Sequence, residues 1–388
     1  MKVKVTGMGI ISSIGMTIEE NYHSLQTLNS GISNIELVKG LNNEFIGGEI
    51  KIPNKKLAEI LEIKNYDLIP RSVLLSLIAA KEAWGENKPN PNIRTAIVGA
   101  TTVGGMDLTE QYFKKNKTIH CLKNHPCGTI TNYLENYFKL NAFKTTISTA
   151  CSSAANAIMF GSRMIKHNFA DRVLVGGSDA LTHFTIEGFN SLKIYDPTPC
   201  KPFDKHRNGL NLGEAGAYIV LENEKSISIT KNKKIASILG WGNANDSYHQ
   251  TASSPEGFGA QKAMQSALKT AHLSSSDIDY INAHGTATLN NDLSEGKAIE
   301  KIFGIDQLFS STKGFTGHTL AAAGIVECIY SILSMKNNII FPVLNHSHYM
   351  QELKIKPERS LNKTNKIDTV LSNSFGFGGN NTSIIISK

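Results

Sequence analysis

The chain has 388 residues, 40% apolar and 19% charged, the composition of a soluble globular protein long enough for one large α/β unit or two fused halves. Its five cysteines form no Cys-x-x-Cys pair, which argues against a zinc site or a disulfide framework and for a reducing cytoplasm. Net charge is +7 (40 Lys+Arg minus 33 Asp+Glu), which suits solubility or an acidic partner; no nucleic-acid motif is present, and no stretch is long and apolar enough to span a membrane.

Met1 to Gly7 reads as a strand rather than a signal peptide, and Val3 to Ile11 as the first strand. Gly7-x-Gly9 is taken as a turn, because Ser12 stands where a dinucleotide fingerprint needs its third glycine. Thr17 caps a helix running to about Leu28, with Glu20 as its capping-box partner. A helix is expected over Arg71 to Trp84 and a buried strand over Thr95 to Gly99. The strand ends in Thr101-Thr102-Val103-Gly104-Gly105, a loop brought close to a ligand or another backbone. Met106 to Lys115 and Ile130 to Phe138 read as helices.

Ile147-Ser148-Thr149-Ala150 leads into Cys151, and small helix formers follow to Lys166. That places Cys151 between a strand and a helix N-terminus, where unpaired N–H groups and the helix dipole favour a thiolate; the competing reading is a buried structural cysteine. A strand from Arg172 to Val175 ends at Gly176-Gly177, and a polar loop from Asp196 to Asn211 carries Lys201, Lys205 and Arg207. Residues 223–234 are charge-rich and divide the chain into residues 1–230 and 231–388.

The second part alternates again: strands near Ile235–Trp241, Asp279–Asn282 and Leu308–Ser311, helices near Ala260–His272, Leu293–Ile302 and Leu320–Lys336, and two terminal strands. This alternation argues for α/β with helices on both sheet faces. Two histidines follow strand ends, in Asn282-Ala283-His284-Gly285-Thr286-Ala287-Thr288 and in Ser311-Thr312-Lys313-Gly314-Phe315-Thr316-Gly317-His318. A glycine-rich loop, Asn373 to Asn381, joins the last two strands. A lone histidine is usually structural and a glycine-rich hairpin usually a turn; together and in this order the motifs are specific.

These motifs, with Thr149-Ala150-Cys151-Ser152-Ser153, resemble nearly end to end the β-ketoacyl-acyl-carrier-protein synthases of the Cys-His-His type, the condensing enzymes of fatty acid and polyketide assembly. The resemblance implies a thiolase-like fold: two related α/β halves forming a five-layered α-β-α-β-α core. It implies that Cys151 takes an acyl group from acyl carrier protein, that the Cys151 and Phe377 N–H groups hold the oxyanion, and that His284 and His318 serve malonyl decarboxylation. It places Lys313 in a charge network with Asp292 and Glu327. Thr286 and Thr288 line the malonyl carboxylate, and Phe377, Phe189 and Val103 gate and line the acyl pocket. Lys193 becomes a docking residue for acidic carrier protein, with Lys201, Lys205 and Arg207 extending the patch, although Arg207 pairing with Asp204 is an equal alternative.

No metal or resident cofactor is implied, the substrates travelling on the phosphopantetheine arm of the carrier. His346-Ser347-His348 reads as surface, and His120, Cys121 and His125 are assigned to no site. The partner is a second copy, or a chain-length-factor-like ketosynthase in a heterodimer. The segments Thr101–Asp107 and Gly209–Glu214 are most similar to synthases of aryl-polyene and related pigment pathways. Two features depart from the fatty-acid enzymes: a shorter stretch between Gly105 and Thr145, and Glu214-Ala215-Gly216 in place of a glycine-richer run. A degradative thiolase would need a second cysteine near the C-terminus, and a Cys-His-Asn synthase would lack His318. A non-catalytic chain-shaping subunit has no use for Cys151, and a cysteine protease explains neither the second histidine nor Lys313.

Overall fold

The computed structural model describes residues 3–41, 45–113 and 122–388. Lys115, the expected end of one helix, and His120 and Cys121 lie outside the described residues. Ten strands form the central sheet: β1 (Val3–Ser12), β2 (Thr95–Ala100), β3 (Phe143–Ile147), β4 (Arg172–Asp179), β5 (Ala215–Glu222), β6 (Ala236–Asn245), β7 (Tyr280–Asn282), β8 (Phe309–Ser310), β9 (Thr369–Gly376) and β10 (Asn380–Ser387). Their order is β8-β7-β9-β10-β6-β1-β5-β4-β2-β3.

The sheet divides where β1 meets β6, because only Val3–Val5 pairs there, with Ala236–Ile238. On each side the same topology recurs. The first strand pairs antiparallel with the fifth and the fifth with the fourth; the fourth runs parallel to the second and the second to the third. The fold therefore repeats itself once within the chain, although no short-period repeat is visible in the sequence.

Helix α1 (Arg71–Trp84) covers the outer face of the first half-sheet, against β1, β5 and β4. Helices α2 (Ser153–Lys166), α3 (His183–Ser191), α4 (Phe258–Ala271), α5 (Leu289–Phe303) and α6 (Ala323–Asn337) follow in order. α4 covers the outer face of the second half-sheet, while α2 and α6 touch each other and lie between the halves. These are the five layers. α6 is buried on every side from Ala323 to Met335, including Glu327, as expected of a helix with apolar residues on every face.

Gly7 and Gly9 lie inside β1, not in a turn. A Cβ on either would stand 2.1 Å from the carbonyl oxygen of Ala83 or Ala79, so their bare backbone lets α1 lie close on the strand. Gly176 and Gly177 are likewise interior to β4, which runs on to Asp179. The loop after β2 does approach another backbone: a Cβ on Gly104 would meet the His125 carbonyl oxygen at 2.3 Å. No helix among the described residues is long and apolar enough to cross a membrane.

Candidate active site

Cys151 sits in the turn between β3 and α2 and is 6% exposed. Ala150, just before it, holds a left-handed conformation (φ 51°), a strained state for a residue with a Cβ that costs about 1 kcal/mol. Local hydrogen bonds stabilise the turn: the Thr149 N–H donates to Ser153 Oγ at 2.8 Å, and Ser153 Oγ donates to the Ala150 carbonyl. The N–H groups of Phe377 and of Cys151 itself are near enough to the Cys151 sulfur to favour its thiolate.

The electrostatic balance departs from the expected thiolate. Burial pushes the Cys151 thiol up to about 11, outweighing the opposing pull of Lys313 and the two amides. The turn supplies the anticipated donors, but the cost of placing an anion away from water is larger, so the resting site holds a thiol.

His284 emerges from the end of β7. Its own N–H and that of Gly285 donate to the two carboxylate oxygens of Glu295 on α5, each at 2.8 Å, and Asn373 Nδ2 adds a third bond at 3.0 Å. Glu295 is buried, which raises its carboxyl to about 7. His318 follows the short helix Lys313–Thr316; its N–H donates to the Asn211 carbonyl and its own carbonyl accepts from Gly213 N–H. Cys151 and His318 occupy corresponding places, each after the third strand of its half and before one of the two central helices.

The two imidazoles meet edge to face, with centroids 5.1 Å apart. One donor atom from each of Cys151, His284 and His318 lies within 4.8 Å of the others. Burial first, then the charge of Lys313, holds both histidines well below their ordinary pKa, so they are neutral. Lys313 Nζ contacts His284 Nδ1 at 3.2 Å, the His284 carbonyl oxygen and the Glu327 carboxylate. An ammonium can only donate, so Nδ1 accepts and the His284 proton sits on Nε2. Cys-His-His is a donor set zinc would accept, but a protonated Nε2 is a hydrogen-bond donor rather than a ligand. Neither ring nitrogen of His318 has a partner among the described residues, which leaves it free to exchange a proton.

Glu327 is buried on α6 against Lys313, and burial raises its carboxyl to about 7. Asp292 does not join Lys313's hydrogen bonds as expected. It accepts from the N–H groups of Phe203 and Ala287 and lies 4.0 Å from Arg207 Nε, so it pins two loops behind the site. Arg207, for which docking and loop-shaping stood as equal alternatives, is 6% exposed; it donates to the carbonyls of Asp204, Thr288 and Leu289. Its partners are backbone oxygens and the Asp292 carboxylate, all inside the protein, so it shapes the loop instead of presenting charge. Lys205 is exposed, Lys201 half-buried.

A cavity of about 290 Å³ reaches Cys151, His284 and His318; Thr286, Thr288, Phe375 and Phe377 also line it, and exposed Lys193 stands on its wall. Phe189 and Phe377 stack at 5.7 Å, and Phe189 and Val103 belong to the same apolar cluster beside the cavity.

Sequence reasoning missed three buried acids. Glu295 anchors the His284 turn. Asp179 at the end of β4 accepts from Thr101, Thr102, Val103 and Ala321, joining the loop after β2 to the approach of α6. Glu214 forms a two-point ion pair with Arg71 and accepts from Ile50 and Leu181. Glu295, three residues after Asp292 on one helix, was the signal available for the first: two acids at that spacing share a face.

Comparison with known proteins agrees with this geometry. Residues 1–226 match the family "Beta-ketoacyl synthase, N-terminal domain" and residues 235–347 match "Beta-ketoacyl synthase, C-terminal domain". The chain is 32% identical over 414 aligned positions to 3-oxoacyl-[acyl-carrier-protein] synthase 2 of Coxiella burnetii, covering 100% of this chain and 98% of that one. Among solved structures it superposes on the ishigamide ketosynthase/chain length factor (TM-score 0.91, 27% identity, 100% and 99% covered). It also superposes on a ketosynthase in complex with its chain length factor from Xenorhabdus doucetiae (TM-score 0.88, 28% identity, 100% and 98% covered). The chain belongs to the β-ketoacyl synthase family and has its thiolase-like fold. It is an acyl-transferring condensing enzyme.

Proposed function

We propose that this enzyme condenses malonyl carrier protein with an acyl chain held on Cys151, releasing CO₂ and a β-ketoacyl carrier protein. The observation that carries the reading is the convergence of Cys151, His284 and His318 on one cavity, their donor atoms within 4.8 Å. The incoming thioester carbonyl is attacked by the Cys151 sulfur. The thiol proton passes to neutral His318 and then to the departing carrier thiol. The tetrahedral oxyanion sits between the Cys151 and Phe377 N–H groups. Malonyl thioester then binds with its carboxylate near Thr286 and Thr288. Its C–C bond breaks, CO₂ leaves, and the enolate oxygen accepts from His284 Nε2–H and an N–H of His318. The enolate carbon attacks the acyl carbon, the bond to the Cys151 sulfur breaks, and the departing thiolate takes up a proton from solvent, the one proton the overall reaction consumes. No step calls for a resident cofactor, because each substrate brings its own phosphopantetheine arm.

Lys193, exposed at the cavity wall, supplies positive charge for an acidic carrier, and exposed Lys205 and half-buried Lys201 on the 196–211 loop extend it. Phe189, Phe377 and Val103 enclose the acyl chain. The second subunit pairs on the open edge of the sheet at β3, where Phe143 is 56% exposed, and is a ketosynthase-like chain-length partner or a second copy. The similarity of Thr101–Asp107 and Gly209–Glu214 to pigment-pathway synthases supports a cytoplasmic aryl-polyene or polyketide pathway. Incubation with malonyl carrier protein and a panel of acyl- and polyenoyl-carrier proteins tests the reading. It requires CO₂ and a chain two carbons longer; release of free acid without elongation would refute it.

A further inference from the structure

We propose that Asn380 is a positioning residue that sets the spacing of the two oxyanion donors, the N–H groups of Cys151 and Phe377. The inference rests on the acyl-transfer reading above. Phe377 lies in a three-residue loop closed by the register pair Gly376 and Asn380, and Cys151 lies in a separate turn more than two hundred residues earlier. Nothing covalent nearby fixes one against the other, yet an oxyanion must meet both.

Asn380 bridges them through its side-chain oxygen. Asn156 Nδ2 on α2 donates to Asn380 Oδ1 at 2.8 Å and to Thr149 Oγ1 at 2.9 Å, so one carboxamide holds both the loop and the turn. Ser152 Oγ, directly after Cys151, lies 2.8 Å from Asn380 Oδ1 and 2.7 Å from the Thr149 carbonyl, so its single proton is shared between them. Asn243 Nδ2 on β6 approaches Asn380 Oδ1 and Asn156 Oδ1, both at 2.9 Å, and Thr382 Oγ1 also donates to Asn156 Oδ1. Asn156 is 5% exposed and Thr382 fully buried, while Asn380 is half-buried and Asn243 exposed, so the network is anchored on its buried side at α2 and β10. The fit is close: a Cβ on Gly376 would stand 3.2 Å from Cys151 N. A small shift of the loop would move the Phe377 donor, and misplacement of about 1 Å costs roughly a hundredfold in rate.

The network touches neither imidazole, so it separates the two half-reactions. Asn380→Leu keeps the size and removes the acceptor; Asn380→Asp keeps an acceptor. Acylation of Cys151 from acyl carrier protein is measured by rapid-quench mass spectrometry. Decarboxylation of malonyl carrier protein is measured in a Cys151→Ala background, where no acylation occurs. Asn380→Leu is expected to slow acylation roughly tenfold to a hundredfold with KM unchanged. Decarboxylation in Cys151→Ala/Asn380→Leu should stay within about twofold of Cys151→Ala, and Asn380→Asp should recover most of the acylation rate. If Asn380→Leu does not fold, Asn156→Asp, which replaces the donating group by an isosteric acceptor, should give the same selective loss. Equal losses in both half-reactions, or unchanged acylation, overturn the positioning role while leaving the condensing reaction intact. A wild-type enzyme that never acylates Cys151 refutes the underlying reading, and this one with it.

Discussion

Lys313 Nζ stands 3.2 Å from Nδ1 of His284, and both side chains are buried. The lysine spends its three protons on His284 Nδ1, the His284 carbonyl and Glu327, which fixes the ring so that Nε2–H is presented to the cavity. Lys313→Met should therefore lose condensation and destabilise the fold, since breaking a buried pair costs about 3–5 kcal/mol. The loss should grow with pH. Lys313 holds the Glu327 carboxyl down, so without it the group rises above its wild-type value of about 7; Glu327 is tolerated while protonated, and that tolerance is lost as pH rises through the raised folded-state value. Lys313→Met/Glu327→Gln should regain thermal stability without regaining condensation. Recovery of both would assign Lys313 a structural role alone.

The raised pKa of Cys151 gives a second prediction. With the thiol near 11, alkylation of the free enzyme by iodoacetamide should rise about tenfold per pH unit between pH 7 and 9, measured on the Cys151 peptide. A plateau beginning below pH 8 would mean a resting thiolate–imidazolium pair. The depressed values of both histidines argue against such a pair.

Lys193 is exposed at the wall of the cavity. Lys193→Glu should raise KM for carrier-bound substrate and leave reaction with an acyl-pantetheine nearly unchanged, the difference shrinking as salt increases. Equal losses on both substrates would place Lys193 in support of the site, and an unchanged KM would put docking elsewhere.

The strand–helix alternation was legible because it rests on local patterns; the convergence of Cys151, His284 and His318 was implied by the family resemblance that their motifs carry together, each motif alone being weak. What depends on distant partners was not. Asp292 was expected in a network with Lys313, and Arg207 either at a docking surface or shaping its loop; both bond backbone groups of loops far apart in sequence and pair with each other at 4.0 Å. Gly7 and Gly9 looked like a turn because nothing local signals that α1 lies on them. The thiolate expected at Cys151 followed from its turn and helix terminus; the burial that outweighs them is a property of the packed halves. The two related halves were implied by the family resemblance; their shared topology itself is seen in the strand pairing.

Two donors at the enolate oxygen imply a division of labour. His284→Ala should still form acyl-Cys151 at close to the normal rate but lose condensation by roughly a hundredfold to a thousandfold, the usual cost of one such donor. Single-turnover measurements in which acylation falls as far as condensation would contradict the separation.

The most direct measurement is the intact mass of the enzyme after mixing with acyl carrier protein, followed by peptide mapping. One acyl group should be gained on the peptide carrying Cys151, retained in His284→Ala, absent in Cys151→Ala, and discharged as a β-ketoacyl carrier protein when malonyl carrier protein is added to the wild type. An acyl group on Cys121, Cys127, Cys200 or Cys328, or an enzyme that elongates chains with Cys151 replaced, would contradict the role of Cys151 as the nucleophile.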